Sequence, residues 1–152
     1  MADKDLEARV QALEEIEAIK QLKARYCYLV DSGKWREVVK LFAKDSKISF
    51  PFGAGEGIAA IITFYRETLP SQRSFIMHTL HNPIIEVKGE QATGKWYYQS
   101  SGTVRSANRA QWGAGIYRDK FVKESGDWKF KEIIVESIYS TPYDEGWAKT
   151  VK

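Results

Sequence analysis

A single cysteine, Cys27, in 152 residues leaves no internal disulfide and no zinc cluster built on several thiolates. No apolar run approaches the roughly 20 residues that a membrane-spanning helix needs. The opening segment MADKDLEARV lacks the basic-then-apolar layout of a signal peptide, so cytoplasmic residence is expected. An excess of one charge is missing too: 23 Lys and Arg face 20 Asp and Glu, a net +3 dispersed along the chain. The densest basic stretch, Arg105 to Arg109, holds two arginines and reads as a polar loop, so neither nucleic acid nor membrane is an expected partner. Other chemistries lack their motifs. No G-x-S-x-G elbow precedes a helix, and no HExxH spacing exists. Gly53-Ala54-Gly55-Glu56-Gly57 has the wrong glycine spacing and no lysine for a phosphate loop, and reads as a plain loop.

What the chain does have is large rings: five Trp, eight Tyr and seven Phe, within 43% hydrophobic residues. So many rings in one small domain (1–152, with a core over about 6–140 and an extension over 141–152) serve a core or a cavity for an apolar ligand. Leu6, Val10, Leu13, Ile16, Ile19, Leu22, Tyr26 and Leu29 recur at three- and four-residue steps. They predict an amphipathic helix with a continuous apolar stripe, ending at Asp31-Ser32-Gly33 with Gly33 as a left-handed cap. A short helix over Lys34 to Ala43 follows, then a strand through Ile48, Phe50 and Phe52. A third helix is expected over Glu56 to Thr68, with Ile58, Ile61, Ile62 and Tyr65 inward and Leu69-Pro70 as its stop. The remainder reads as strands over Arg73 to Val87, Gln91 to Val104, Ala110 to Val122 and Trp128 to Ser140. The expected class is α+β, with three N-terminal helices packed in a curved, mostly antiparallel sheet that leaves a cavity on its concave side.

Period-two alternation sorts the strand faces. Ile76, His78 and Leu80 share one face, and Met77, Thr79 and His81 the other; Trp96, Tyr98 and Ser100 share a face opposite Lys95, Tyr97 and Gln99. His78 and His81 therefore cannot share a metal ion. His78 is either a structural histidine bonded to a backbone carbonyl or a general base, and His81 is structural or interfacial. Asp31 closes a helix, against the preference of the helix dipole, so it is either solvated or held by a partner. An Asp31–His78 pair would fix the imidazole tautomer and make His78 a usable base near neutral pH. Tyr26 is either core or a donor to a substrate oxygen. Cys27, mid-helix without an activating neighbour, reads as a small buried hydrophobe.

The blocks IEAIKQLKARYCYLVD (Ile16 to Asp31), KW (Lys34-Trp35), MHTLHNPIIEV (Met77 to Val87), ATGKWYY (Ala92 to Tyr98) and YRDKFVKESGDWKFKE (Tyr117 to Glu132) resemble, in order, the SnoaL-like family. That family belongs to the cone-shaped superfamily named for nuclear transport factor 2. Within it the chain looks most like bacterial bile-acid dehydratases, and is also similar to scytalone dehydratases and hexachlorocyclohexane dehydrochlorinases. The resemblance implies a cone-shaped barrel and a His–Asp dyad, here His78 and Asp31, that abstracts a carbon-bound proton without a cofactor or metal. It matches Tyr26 to an assisting tyrosine. Aligned through Trp96, it puts Ser100 where the bile-acid enzymes carry a further aspartate, a carboxylate that serine cannot replace at neutral pH.

The expected function is a cofactor-independent lyase of dehydratase type acting on a hydrophobic, cyclic, oxygenated molecule such as a steroid or polyketide. Trp96, Tyr98, Ser100, Phe50 and Phe64 are the expected substrate wall. The alternatives are a polyketide cyclase or isomerase, or a non-catalytic ligand-binding or assembly module of the same fold. The resemblance also implies a homodimer or homotrimer, with Tyr97, Ile116 or Trp112 available on the outer sheet face.

Overall fold

The computed structural model describes residues 2–151, with side chains from Asp5 to Val151; Met1 and Lys152, the ends of the expected domain, lie outside the described residues. Helix α1, Ala2–Asp31, is continuous, but its apolar stripe is not buried throughout. Leu6, Val10 and Leu13 are exposed, and burial begins at Ile16. The changeover is pinned by Glu15, which accepts hydrogen bonds from Lys123 Nζ and Trp128 Nε1, both at 2.5 Å, and whose carboxyl these donors hold below its ordinary pKa. From there Ile19, Leu22, Tyr26 and Val30 enter the core. Gly33, at φ 66°, ends the helix as expected: its N–H reaches the Val30 carbonyl at 3.0 Å, and the Lys34 N–H reaches that of Leu29 at 2.9 Å. This pair of bonds is the Schellman pattern, which favours glycine because a Cβ is strained at positive φ.

Helix α2 is shorter than expected, Trp35–Val39, because Phe42 and Ala43 already belong to strand β1, Phe42–Phe50. The glycine-rich segment read as a loop is a strand, β2, Gly53–Glu56, paired antiparallel with β1. Helix α3 spans Gly57–Thr63 and runs on through a π-helical turn, Phe64–Thr68, into α4, Leu69–Gln72. Leu69-Pro70 therefore does not stop the helical segment: Pro70 sits at the start of a fresh turn, where its missing N–H breaks no bond.

Four long strands follow: β3 Arg73–Lys88, β4 Gln91–Val104, β5 Arg109–Glu124 and β6 Asp127–Pro142. Each of these four lies within two residues of its expected bounds at either end, whereas the strand expected through Ile48, Phe50 and Phe52 begins earlier, at Phe42, and leaves Phe52 in a turn. The sheet order is β2-β1-β6-β5-β4-β3, antiparallel except for the parallel pairing of β1 with β6. Helix α1 packs against β3 and β6 on the concave side, giving the expected α+β architecture of helices within a curved sheet. The core is ring-rich, with Tyr26, Tyr117, Phe121 and Phe130 almost fully buried. Among the described residues no helix is long and apolar enough to cross a membrane.

One buried feature escaped the sequence. Lys23 and Asp119, both with fully buried side chains, form an ion pair at 2.7 Å, close in distance though poorly aligned as a hydrogen bond. Lys23 stands four residues after Ile19 and three before Tyr26, on the buried face of α1, and its Nζ lies 3.4 Å from the centre of the Tyr117 ring. Burial pushes the Asp119 carboxyl up to about 6, against the opposing pull of the Lys23 charge.

Candidate active site

His78, about a third of the way along β3, faces the concave side, as alternation predicts, while Met77 and His81 on the other parity are exposed. Asp31, the last residue of α1, meets it there. Oδ1 accepts from His78 Nδ1 at 2.6 Å, and Oδ2 accepts from the His78 backbone N–H at 2.9 Å. One carboxylate thus grips the ring and the main chain of the same residue, which offsets its unfavourable place at a helix C-terminus. A proton on Nδ1 leaves the Nε2 lone pair unused, and among the described residues no protein group bonds to it. The His78 side chain is 8% exposed and the Asp31 side chain 20%.

His78 lines a cavity of about 110 Å³ between the helices and the sheet. Of the expected wall, Tyr98, Ser100, Phe50 and Phe64 line it, as does Tyr26. Phe64 stacks on Phe50 with ring centres 4.7 Å apart and on Phe52 at 5.7 Å, a flat apolar side. Ser100 is the cross-strand partner of His78, so its hydroxyl stands beside the imidazole on the neighbouring strand. Gly113, opposite Ser100 on β5, leaves that hydroxyl room: a Cβ there would approach Ser100 Oγ to 2.8 Å.

Trp96 is a correction. It shares a face with Tyr98 and Ser100 but lies outside the cavity, because its ring folds back over Gly94 and packs edge-on against Phe121 at 6.0 Å. A Cβ on Gly94 would meet that ring at 2.0 Å, so the glycine creates the slot that draws the indole away. Trp112 is a second correction to the expected outer face. It lines the cavity and stacks on Tyr143 at 5.7 Å, while Tyr139, also in the lining, stacks on Trp147 at 5.5 Å. The segment after β6, without a period in the sequence, is thus held against the rim of the cavity. Tyr97 remains exposed, and Ile116 is half-buried.

Tyr65 was legible only as a core position. Its hydroxyl lies 2.9 Å from that of Tyr26, and both phenols line the cavity. Two hydroxyls that share one hydrogen bond retain one further O–H proton, for which the described residues offer no acceptor. Burial pushes both phenols above their ordinary pKa, Tyr26 strongly, so each stays protonated and acts as a donor rather than a base. Cys27 is buried and its thiol pushed up to about 12 by that burial, in keeping with a small packed side chain. Among the described residues no three His, Cys, Asp or Glu side chains come together as a metal-binding group.

The same fold recurs in known structures. A type 2 hexachlorocyclohexane dehydrochlorinase superposes with a TM-score of 0.82 at 19% identity, covering 88% of this chain and 92% of its own. A protein from Novosphingobium aromaticivorans that carries the name of a scytalone dehydratase superposes at 0.78 with 24% identity, covering 94% and 92%. A protein of the nuclear transport factor 2-like superfamily from Salmonella enterica superposes at 0.74 with 22% identity, covering 86% and 95%. Helices within a curved six-stranded sheet, and a match of residues 11–134 to the model of the SnoaL-like domain, establish that the chain belongs to the SnoaL-like family.

Proposed function

We propose that the chain is a cofactor-independent lyase of dehydratase type, with His78 as general base, Asp31 as its positioning partner and the Tyr26–Tyr65 pair as donor to the substrate oxygen. The observation that carries this reading is the double grip of Asp31 on His78, which leaves Nε2 unpartnered at a ring-lined cavity. The structural relatives named for dehydratase and dehydrochlorinase activity support the same class.

The chemistry follows from the placement. Nε2 takes a proton from a carbon next to a carbonyl, and the electron pair of that C–H bond passes into the enolate. The free phenolic O–H donates to the enolate oxygen, where charge develops. Collapse of the enolate forms the carbon–carbon double bond and expels hydroxide from the β carbon. The proton held on the imidazolium converts it to water and restores the neutral ring. Asp31 stabilises the imidazolium while it lasts. Where the substrate has no leaving group, return of the same proton to another carbon would make the reaction an isomerisation.

The cavity narrows the substrate. A cavity of about 150 Å³ accommodates benzene, so the enclosed space of about 110 Å³ holds only the reacting part of a ring, and the rest of a steroid or polyketide would extend through the mouth. A panel of cyclic β-hydroxy ketones, steroids and polyketides, followed by mass loss of water, tests the reading. Water loss that disappears with His78→Ala supports it, and water loss unchanged by that substitution contradicts it.

The phenol pair has its own test. Tyr26→Phe or Tyr65→Phe alone leaves one hydroxyl with a free proton, and each is expected to retain a measurable part of kcat. Tyr26→Phe with Tyr65→Phe removes the donor and is expected to lower kcat by about 10²- to 10³-fold. Steady-state kinetics of the three variants on one accepted substrate decides it.

A further inference from the structure

Arg73, the first residue of β3, is out of phase with His78. They lie five positions apart, and strict alternation would put them on opposite faces. The register with β4 shifts between Arg73 and Phe75: Arg73 faces Val104 and Phe75 faces Thr103. Ser74 and Phe75 are both exposed, and alternation resumes with Ile76 and His78 half-buried. A bulge of this kind re-aims a side chain, and here it turns Arg73 onto the side of His78, where both line the same cavity.

Arg73 is half-buried, yet among the described residues it makes no ion pair or side-chain hydrogen bond, unlike Arg109 and Arg118, which hold carboxylates at the surface. Burial lowers its pKa, and Asp31, which shares a second pocket lining with it, is bonded to His78 instead. Its stem lies near Gly102, where a Cβ would sit 3.8 Å from Arg73 Cδ. Across Gly102 on β5 stands Gln111, also in the cavity lining, whose amide contacts Ser140 Oγ at 2.8 Å and whose Oε1 is buried without a partner. Turning that amide over, so that the Ser140 hydroxyl donates to it, leaves its NH₂ as a second free donor in the same lining as the guanidinium. A partly buried cation without a counter-charge is costly in a finished fold. A planar guanidinium with an amide beside it suits a carboxylate.

We propose that Arg73, with Gln111, is the specificity-determining group of this cavity, and that the substrate carries a carboxylate at the end away from its reacting carbon. The inference rests on this cavity being the substrate site. Five residues at about 3.3 Å each put the Cα atoms of Arg73 and His78 roughly 16 Å apart, and side chains reaching inward shorten that span. The substrate is then an apolar, ring-bearing acid: the ring lies against Phe50 and Phe64, the acidic C–H at His78, and the carboxylate at Arg73.

Calorimetric titration with 2-naphthylacetate and its neutral counterpart 2-naphthylacetamide tests this. The unsubstituted chain is expected to bind the acid at least about tenfold more tightly, the size of one charge-assisted hydrogen bond. Arg73→Ala should bring the ratio to about one by weakening the acid alone. Arg73→Lys, which keeps charge without the planar fork, should fall between, and Arg118→Ala should leave the ratio unchanged. No acid preference in the unsubstituted chain, including no binding of either probe, overturns the proposal, as does a preference that survives in Arg73→Ala. If that variant fails to fold, Arg73→Lys decides: an unchanged ratio overturns it. Because binding is read without turnover, an acid preference with no water loss from any substrate contradicts the lyase reading alone. Turnover of neutral substrates without an acid preference contradicts only the role of Arg73.

Discussion

His78→Ala is expected to slow turnover of any substrate the cavity accepts by about 10²- to 10⁴-fold, the range that a positioned general base contributes. The loss should fall on kcat more than on KM, because the imidazole contacts the transferred proton while Phe50, Phe64 and the rest of the lining hold the substrate. Stability should fall by about 1–3 kcal/mol, since Asp31 Oδ1 loses its bond to Nδ1 while the Asp31 contact to the backbone N–H at position 78 remains. Steady-state kinetics and thermal unfolding of the same preparation separate the two effects. A variant that retains turnover within a few-fold would remove His78 from the chemistry.

Lys23→Met is expected to produce the largest loss of stability, about 3–5 kcal/mol at the alkaline end, because it leaves Asp119 buried without its counter-ion, to carry an uncompensated charge or take up a proton. Lys23→Met combined with Asp119→Leu should recover most of that loss, since replacing both members of a buried pair with apolar groups is close to neutral. The pH dependence has a defined sign. Asp119 in the folded chain holds its proton up to about 6, above the ordinary 3.8. Its contribution to stability is therefore fully present below 3.8 and is lost as pH rises through about 6. Removing Lys23 takes away the charge that lowers this pKa, so the proton is held to higher pH still. Chemical denaturation between pH 5 and 8 should show the deficit of Lys23→Met shrinking toward the acid end. A deficit that grows there would contradict the burial of an isolated carboxylate.

The long strands were legible because alternation and turn residues agree: Lys88-Gly89-Glu90 and Ser125-Gly126-Asp127 bracket runs that alternate locally, as at Ile76, His78 and Leu80, even though register shifts change the parity further along. The end of α1 was legible because Gly33 suits one conformation. Strand β1 was legible only at its end, Ile48 to Phe50, because its earlier part is set by parallel pairing with β6 from the far end of the chain; β2, four residues rich in glycine, was not. Alternation gave the face of His78, but only the family resemblance paired it with Asp31, because nothing local in either segment records a contact across 47 positions. Arg73 and Trp96 were misplaced or missed for one reason. Each turns on a local departure from ideal geometry, a register shift in β3 and a side-chain slot over Gly94, and a period-two reading averages both away.

A His78 base requires that Nδ1, not Nε2, carry the proton in the neutral imidazole. Nitrogen-15 NMR of the two imidazoles at a pH where both are neutral, with His81→Gln to assign the signals, reads this directly. Asp31 as acceptor predicts the Nδ1-protonated tautomer for His78, with a change of tautomer population in Asp31→Ala. An Nε2-protonated His78 in the unsubstituted chain would leave no lone pair facing the cavity and would contradict the proposed base.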